Sequence, residues 1–278
     1  MHKIGLIVYP TFSPMSFAAT SVFETANWRL GAAEYEVTLL SEHGGAVATS
    51  LGYKIQTSTF KRRTFDTLIV AGGITLPAAT PGLLNYLRSA AHRTGRIASI
   101  CTGALVLAEA GLLDGRRATT HWQFARDMQR NYPKITVEGD RIFTIDGPIW
   151  TSAGMSAALD LALALVEKDL GAGIARVIAK ILVVYHRRAG GQSQFSTLLD
   201  LNAQSDRVQT ALTYAKEHLS SPLSVDALAS AAFLSPRQFS RLFREETGQS
   251  PAKAVERLRV ESARLMMEAG RFTAEEIA

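Results

Sequence analysis

Between Ser224 and Pro251 the chain reads SVDALASAAFLSPRQFSRLFREETGQSP, and the placement of its serines, prolines and glycine leaves few choices of local fold. Ser235 followed by Pro236 is a strong helix start, with serine as N-cap and proline at the first helical position. Gln238, three residues on, completes a capping box, and Gly248 suits the left-handed position that ends a helix. At 100° per residue Phe239, Leu242 and Phe243 share one face, while Arg237, Arg241 and Arg244 fall on the other. Upstream, Ser224 to Ala231 reads as a short helix with Leu228 and Ala229 available to pack behind, and Ala232 to Ser235 is short enough for the turn of a helix-turn-helix. A helix with an apolar back and a guanidinium front suits phosphates and guanine edges in a major groove; a merely solvated charged face is the plainer alternative.

The stretch LASAAFLSPRQFSRLFREETGQSPAKAVERLRVESARLMM resembles the DNA-binding domain of AraC-type transcription regulators, over about 70 residues. The paired Phe239 and Phe243, the ETGQSP turn and the long helix after it carry the likeness. Within it, Arg237, Ser240 and Arg241 are expected at base edges, and Gln238 and Arg244 at phosphates. Two such units are expected in the family, joined by a long helix, here Pro251 to Glu268. Gly270 is expected to stop that helix, and Thr273 with Glu276 forms a second capping box. The second helix-turn-helix is therefore expected to be incomplete in this chain.

Net charge does not carry the nucleic-acid reading. The whole chain is +5, yet residues 205–278 hold ten Lys/Arg against ten Asp/Glu. What matters is where the arginines lie. A length of 278 residues suggests two domains. A single cysteine excludes an intrachain disulfide framework and fits a reducing cytosol. No apolar run is long enough to span a bilayer, and MHKIGLIVYP reads as a buried first strand. The expected location is the cytoplasm, with no membrane partner.

Residues 1 to about 170 alternate strand and helix signals. Ile4–Tyr9, Tyr35–Leu40, Thr67–Ala71 and Arg96–Ile100 read as short buried strands; Phe17–Leu30, Pro81–His92 and Gly103–Ala110 read as helices. That order argues an α/β fold with a parallel sheet covered on both faces. Ser152–Lys168 and Ile174–Arg188 read as later helices, separated by the Gly171-Ala172-Gly173 break, the second being apolar on one side. Ala189 to Gln194, AGGQSQ, is the best flexible linker. The expected organisation is a sensor over 1–188, a linker over 189–204 and a helical DNA-binding domain over 205–278.

Cys101 would follow a strand and precede a helix, the geometry of a nucleophile elbow, where a helix N-terminus favours the thiolate. A small buried apolar residue is the competing reading of a lone cysteine. LIVAGG, ICTGALVLAEAGLLDGRRATTHW and TSAGMSAALDLALALVE resemble the class I glutamine-amidotransferase-like superfamily in its PfpI branch, which includes the isonitrile hydratases. The resemblance implies that Cys101 sits at the elbow, with the N–H groups of Gly73 and Thr102 facing it as an oxyanion hole in a small exposed pocket. Gly72 joins that pocket, and His121 and Trp122 line its rim.

Two departures argue against catalysis. Where enzymes of this branch carry a carboxylate, the corresponding FSPMSFAATSVF has none, and where the peptidases have His after the cysteine this chain has Thr102. A nucleophile needs a base or orienting partner in reach. No catalytic residue is therefore assigned. The six histidines are scattered without ligand spacing, and neither a P-loop nor G-x-G-x-x-G occurs, so no metal or cofactor is expected. The Lys61-Arg62-Arg63 run reads as a solvated turn, and Arg257, Arg259 and Arg264 as phosphate contacts or partners of Glu256, Glu261 and Glu268.

Together the two resemblances match GlxA-type regulators, an amidotransferase-like sensor followed by an AraC-type domain. They imply an activator of transcription whose sensor takes a small nitrogenous metabolite near Cys101. The implied partners are double-stranded DNA, that effector, a second copy of the chain through the sensor, and RNA polymerase. The 174–188 helix is a candidate for the dimer contact or for intradomain packing. The alternatives are a cysteine enzyme of the isonitrile-hydratase or amidase type, and a redox sensor working through Cys101.

Overall fold

Parallel strands buried on both faces must be apolar nearly throughout, and three short runs here meet that demand. They are β1 (His2–Ile7), β5 (Thr67–Val70) and β6 (Arg96–Ile100). In the computed structural model, which describes residues 1–60, 64–75, 79–184, 188, 190, 194, 205–269 and 273–277, they form the middle of an eight-stranded sheet. Its remaining strands are β2 (Tyr35–Ser41), β3 (Gly45–Ala48), β4 (Lys54–Thr59), β9 (Phe143–Asp146) and β10 (Ile149–Ser152). The order is β3-β4-β2-β1-β5-β6-β10-β9. β1 lies parallel between β2 and β5, with Ile4 opposite both Val37 and Thr67. Antiparallel pairing occurs at the two edges, β3 on β4 and β9 on β10. A separate pair joins β7 (Arg117–Ala118) to β8 (Thr136–Val137).

The helices of this region are α1 (Ala18–Leu30), α2 (Pro81–Ala91), α3 (Gly103–Glu109), α4 (Trp122–Asn131), α5 (Ala157–Leu170) and α6 (Ala172–Ile181). From β1 the chain crosses one way to β2, and from β5 it crosses the other way to β6. Right-handed crossovers therefore put α1 and α2 on opposite faces. α1, α5 and α6 pack together, and α2 packs on α3. The crossing direction reverses between β1 and β5, which opens the sheet's ligand position at the carboxyl ends of β1, β5 and β6.

Three sequence expectations need correction. Ser152 ends a strand rather than starting a helix; α5 begins at Ala157, after a turn in which Gly154 takes φ +88°. Of Gly171-Ala172-Gly173 only Gly171 breaks the helix, and α6 stops at Ile181, where Val183 turns left-handed at φ +55°. Its buried residues Ala175, Ile178 and Ala179 face α5 and α1, so intradomain packing uses the apolar side. Residues 185–187, with His186, lie outside the described residues, as do Lys61-Arg62-Arg63 and Gly270.

The chain divides into two compact units, Met1–Gln194 and Phe195–Ala278. At the end of the first, the freedom expected of AGGQSQ is absent wherever the segment is described. Arg188 holds buried Asp160 with both its backbone N–H, at 2.9 Å, and its guanidinium, at 2.7 and 2.9 Å. Gly190 lies so close to Phe143 that a Cβ would come within 2.7 Å of its ring and carbonyl. That glycine serves close approach rather than flexibility. Ala189, Gly191, Gln192 and Ser193 lie outside the described residues.

The second unit is helical: α7 (Asp206–Glu217), α8 (Val225–Ala231), α9 (Pro236–Thr247), α10 (Pro251–Ala269) and the short α11 (Ala274–Ile277). Its core joins Val208, Leu212, Leu228, Phe239, Phe243 and Leu258. Each fully buried phenylalanine contributes on the order of 1.5–3 kcal/mol by removal from water. Among the described residues no helix is long and apolar enough to cross a membrane.

Candidate ligand site and nucleic-acid interface

The first site gathers at the reversal point of the sheet. Cys101 follows β6 with φ +54°, a strained left-handed turn that only tight surroundings maintain in a residue other than glycine. Those surroundings are glycines. A Cβ at Gly154 would fall 2.0 Å from the Cys101 Cβ, and one at Gly72 2.5 Å from it and 2.4 Å from the Ile100 carbonyl. Gly73 has ordinary room, so only the first glycine of the pair is required by packing.

The elbow is present, and it differs from expectation in its exposure and in the ionisation of its cysteine. Gly72, Gly73, Cys101 and Thr102 are all buried rather than exposed. Burial pushes the Cys101 thiol up to about 11, opposite to the lowering expected of a helix N-terminus; the Thr102 backbone N–H, which faces the sulfur, offsets only part of it. The Sγ lies 3.7 Å from the Gly73 carbonyl. The Gly73 N–H, expected as an oxyanion donor, is taken by the Thr102 hydroxyl at 2.8 Å. Within the acid-free FSPMSFAATSVF stretch, the buried Ser16 hydroxyl accepts from the Gly72 N–H at 3.1 Å. Tyr9 completes the lining, its hydroxyl donating to the Ala71 carbonyl at 2.8 Å, with burial raising its own ionisation far above the usual tyrosine range.

The TTHW segment builds one wall. Thr120 Oγ1 donates to the Cys101 carbonyl at 3.0 Å, and the Thr119 N–H to Thr151 Oγ1 at 2.8 Å. His121 caps α4, its Nδ1 accepting from the Gln123 N–H at 3.4 Å, and its ring lies 5.6 Å from the Trp122 ring. Desolvation lowers its pKa, which favours the neutral, accepting form that a cap requires. Trp122 is exposed at the rim. A cleft of about 320 Å³ that sequence did not reveal lies nearby, lined by Arg117, Glu138, Arg141, Phe143, Ile145 and Gly190.

In the second unit the sequence reading of the helix starts is met atom by atom. Ser235 Oγ accepts from the Gln238 N–H at 3.4 Å, and the Gln238 carboxamide oxygen accepts from Ser235 in return. Gly248 ends α9 with φ +71°. Phe239 and Phe243 are buried, while Arg237, Arg241 and Arg244 are exposed and Ser240 is half-buried between them. Ser240, Arg241, Arg244 and Glu245 line an open groove of about 610 Å³ with Ser250 and Ala252. Gln238 is drawn back into the cap, which removes its carboxamide oxygen from other contacts.

Arg259 makes backbone contacts that the sequence did not suggest. Its guanidinium donates to the Leu219 and Ser221 carbonyls at 2.9 and 2.6 Å, closing the turn after α7. Glu256 pairs with Lys253 at 2.9 Å. Phe233 is a surprise of the turn, left-handed at φ +54° and 86% exposed. Thr273 and Glu276 form the second capping box, and those bonds lower the Glu276 pKa. Among the described residues no group of three or more candidate metal ligands occurs.

A strained cysteine at a sheet reversal followed by a helix-turn-helix defines a composite class: an elbow-type α/β domain joined to a DNA-binding fold. Residues 7–168 match the DJ-1/PfpI family and residues 228–278 a helix-turn-helix domain family. The chain belongs to the DJ-1/PfpI family, and its second unit is an AraC-type helix-turn-helix domain. It is 34% identical to the HTH-type transcriptional regulator CdhR of Pseudomonas aeruginosa, over 94% of this chain and 79% of that protein. It is also similar to an isonitrile hydratase of Pseudomonas putida, 35% identical, but over only 48% of this chain and 58% of the enzyme. Among solved structures, an AraC family transcriptional regulator from Pseudomonas putida superposes with a TM-score of 0.61 at 29% identity, covering 66% of this chain and all of that one.

Proposed function

We propose that this chain is a cytoplasmic, sequence-specific transcription regulator that reads double-stranded DNA with α9, and that its DJ-1/PfpI unit is a sensor rather than an enzyme. The observation that carries the DNA reading is the division of α9: Phe239 and Phe243 lock one face into the core, leaving Arg237, Arg241 and Arg244 in solvent. Arg237, Ser240 and Arg241 read base edges; Arg244 holds phosphate, with the NH2 end of Gln238 beside it. Similarity to named regulators over nearly the whole chain supports this over the enzyme alternative, which matches one unit only.

The sensor reading rests on Thr102. Its hydroxyl occupies the Gly73 N–H, and the thiol beside it is protonated at neutral pH, so the elbow lacks one of its two expected anion-stabilising donors and a thiolate nucleophile. A small nitrogenous effector binds over this elbow, at the rim that His121 and Trp122 form, and favours one of two sensor states. The regulator acts as a homodimer. The test is selection of sites from random DNA by the full chain, then titration of the recovered sequence against Arg237→Ala and Arg241→Ala. Loss of sequence preference with the fold intact supports the reading; equal preference in the variants refutes it.

A further inference from the structure

Gln194, the residue at which the first unit ends, is densely bonded. The Gln194 Nε2 donates to the Thr120 and Gly139 carbonyls at 2.7 and 2.9 Å and lies 3.3 Å from the Arg141 carbonyl. Its Oε1 accepts from the Trp122 N–H at 2.9 Å. The Gln194 backbone N–H donates to the Asp140 carbonyl at 3.1 Å. The orientation of this carboxamide is forced, because flipping it would set its oxygen against three carbonyl oxygens and its NH2 against an N–H. Acceptors for an NH2 group stand beside a donor for a carbonyl, in the positions a primary carboxamide requires. A carboxylate meets repulsion there, and an ammonium or guanidinium cannot accept from Trp122.

We infer that the sensor carries a binding socket for a primary carboxamide, formed by Thr120, Gly139, Arg141 and Trp122, and that the chain's own Gln194 fills it as a latch. The socket shares its wall with the buried elbow, since Thr120 both presents a carbonyl to Gln194 and donates its hydroxyl to the Cys101 carbonyl. Trp122, the exposed rim residue, supplies the socket's donor. A molecule that displaces this wall, or that brings its own carboxamide, releases Gln194 at the end of the first unit. That regulatory consequence rests on the reading of the chain as an effector-responsive regulator; the socket does not.

The experiment is amide hydrogen exchange at Trp122 in the full chain, for wild type, Gln194→Ala and Gln194→Glu. Tyr132, whose N–H bonds the Met128 carbonyl within α4, is the internal reference. Both variants speed Trp122 exchange by roughly three- to tenfold, the factor carried by one net hydrogen bond, while Tyr132 is unchanged. Excess acetamide slows Trp122 exchange again in Gln194→Ala, and excess acetate does not. Unchanged Trp122 exchange in the variants overturns the latch. Faster exchange with acetamide no better than acetate overturns the socket, because Gln194 then only covers the site. Neither readout depends on DNA binding, so it fails or stands apart from the regulator reading.

Discussion

Thr102 Oγ1 accepts the backbone N–H of Gly73 at 2.8 Å, so this N–H, which the sequence resemblance assigned to an oxyanion hole, is already bonded to a side chain. The residue that departs from the peptidase pattern is thus the residue that takes this N–H.

Thr102→Ala leaves the buried Gly73 N–H without its partner and costs about 1–3 kcal/mol of unfolding free energy, whereas Thr102→Ser costs less because the hydroxyl remains. Chemical denaturation of the three proteins checks the order. Thr102→Ala as stable as wild type would contradict it.

Cys101 is held protonated by burial up to about 11 against an ordinary 9.0. At neutral pH the native thiolate fraction is therefore roughly a hundredfold below that of a free thiol, and alkylation by iodoacetamide is slowed by at least that factor until the protein is unfolded. The folded pKa is raised, so stability is full below about 9 and falls as pH climbs toward 11, because the unfolded chain releases the proton more readily. Denaturation at several alkaline pH values, compared with Cys101→Ala, isolates that slope.

Gly154 holds φ +88° with the Cys101 Cβ 2.0 Å from where its own Cβ would stand. Gly154→Ala combines backbone strain with a clash and destabilises by roughly 3 kcal/mol or more. Gly173→Ala, where nothing crowds the new methyl group within a helix, is neutral or stabilising by up to about 1 kcal/mol. Thermal melts of the two proteins should shift in opposite directions or differ by several degrees.

Phe243→Ala removes a side chain 1% exposed from the core of the second unit and costs about 3–5 kcal/mol, so DNA binding is lost through unfolding. Arg241→Ala changes an exposed side chain whose ion pair with Glu245 spans 3.8 Å, and leaves helicity unchanged while DNA affinity falls roughly tenfold or more. Circular dichroism alongside binding separates the two.

Where local chemistry decides structure, the sequence was readable. The Ser235-Pro236 start, the Gln238 box, the Gly248 stop and the two-faced periodicity of α9 involve residues within one or two turns of each other. The central strands were readable because both their faces are buried and their composition is mostly apolar. The outer strands β3, β4 and β9 were not, since alternating half-exposed residues such as those of Lys54–Thr59 resemble loop sequence until a partner strand is in place.

At the elbow, sequence located Cys101 and its glycine neighbours but not the state of the site. Burial, the inward turn of Thr102 and the approach of Ser16 to Gly72 depend on segments far apart in the chain. The same holds for the AGGQSQ segment, whose composition reads as free chain while Gly190 and Gln194 are fixed by Phe143, Thr120 and Trp122. The contacts of Arg259 were hidden for an allied reason: its acceptors, Leu219 and Ser221, are backbone carbonyls that no charge pattern reveals.

The most direct test of the regulator reading is genome-wide DNA footprinting of this chain in a bacterial host, compared with the Arg237→Ala/Arg241→Ala double variant. Discrete protected sites that share a sequence and vanish in the double variant are the predicted result. Protection without a shared sequence, or shared sites that survive loss of both arginines, would contradict it.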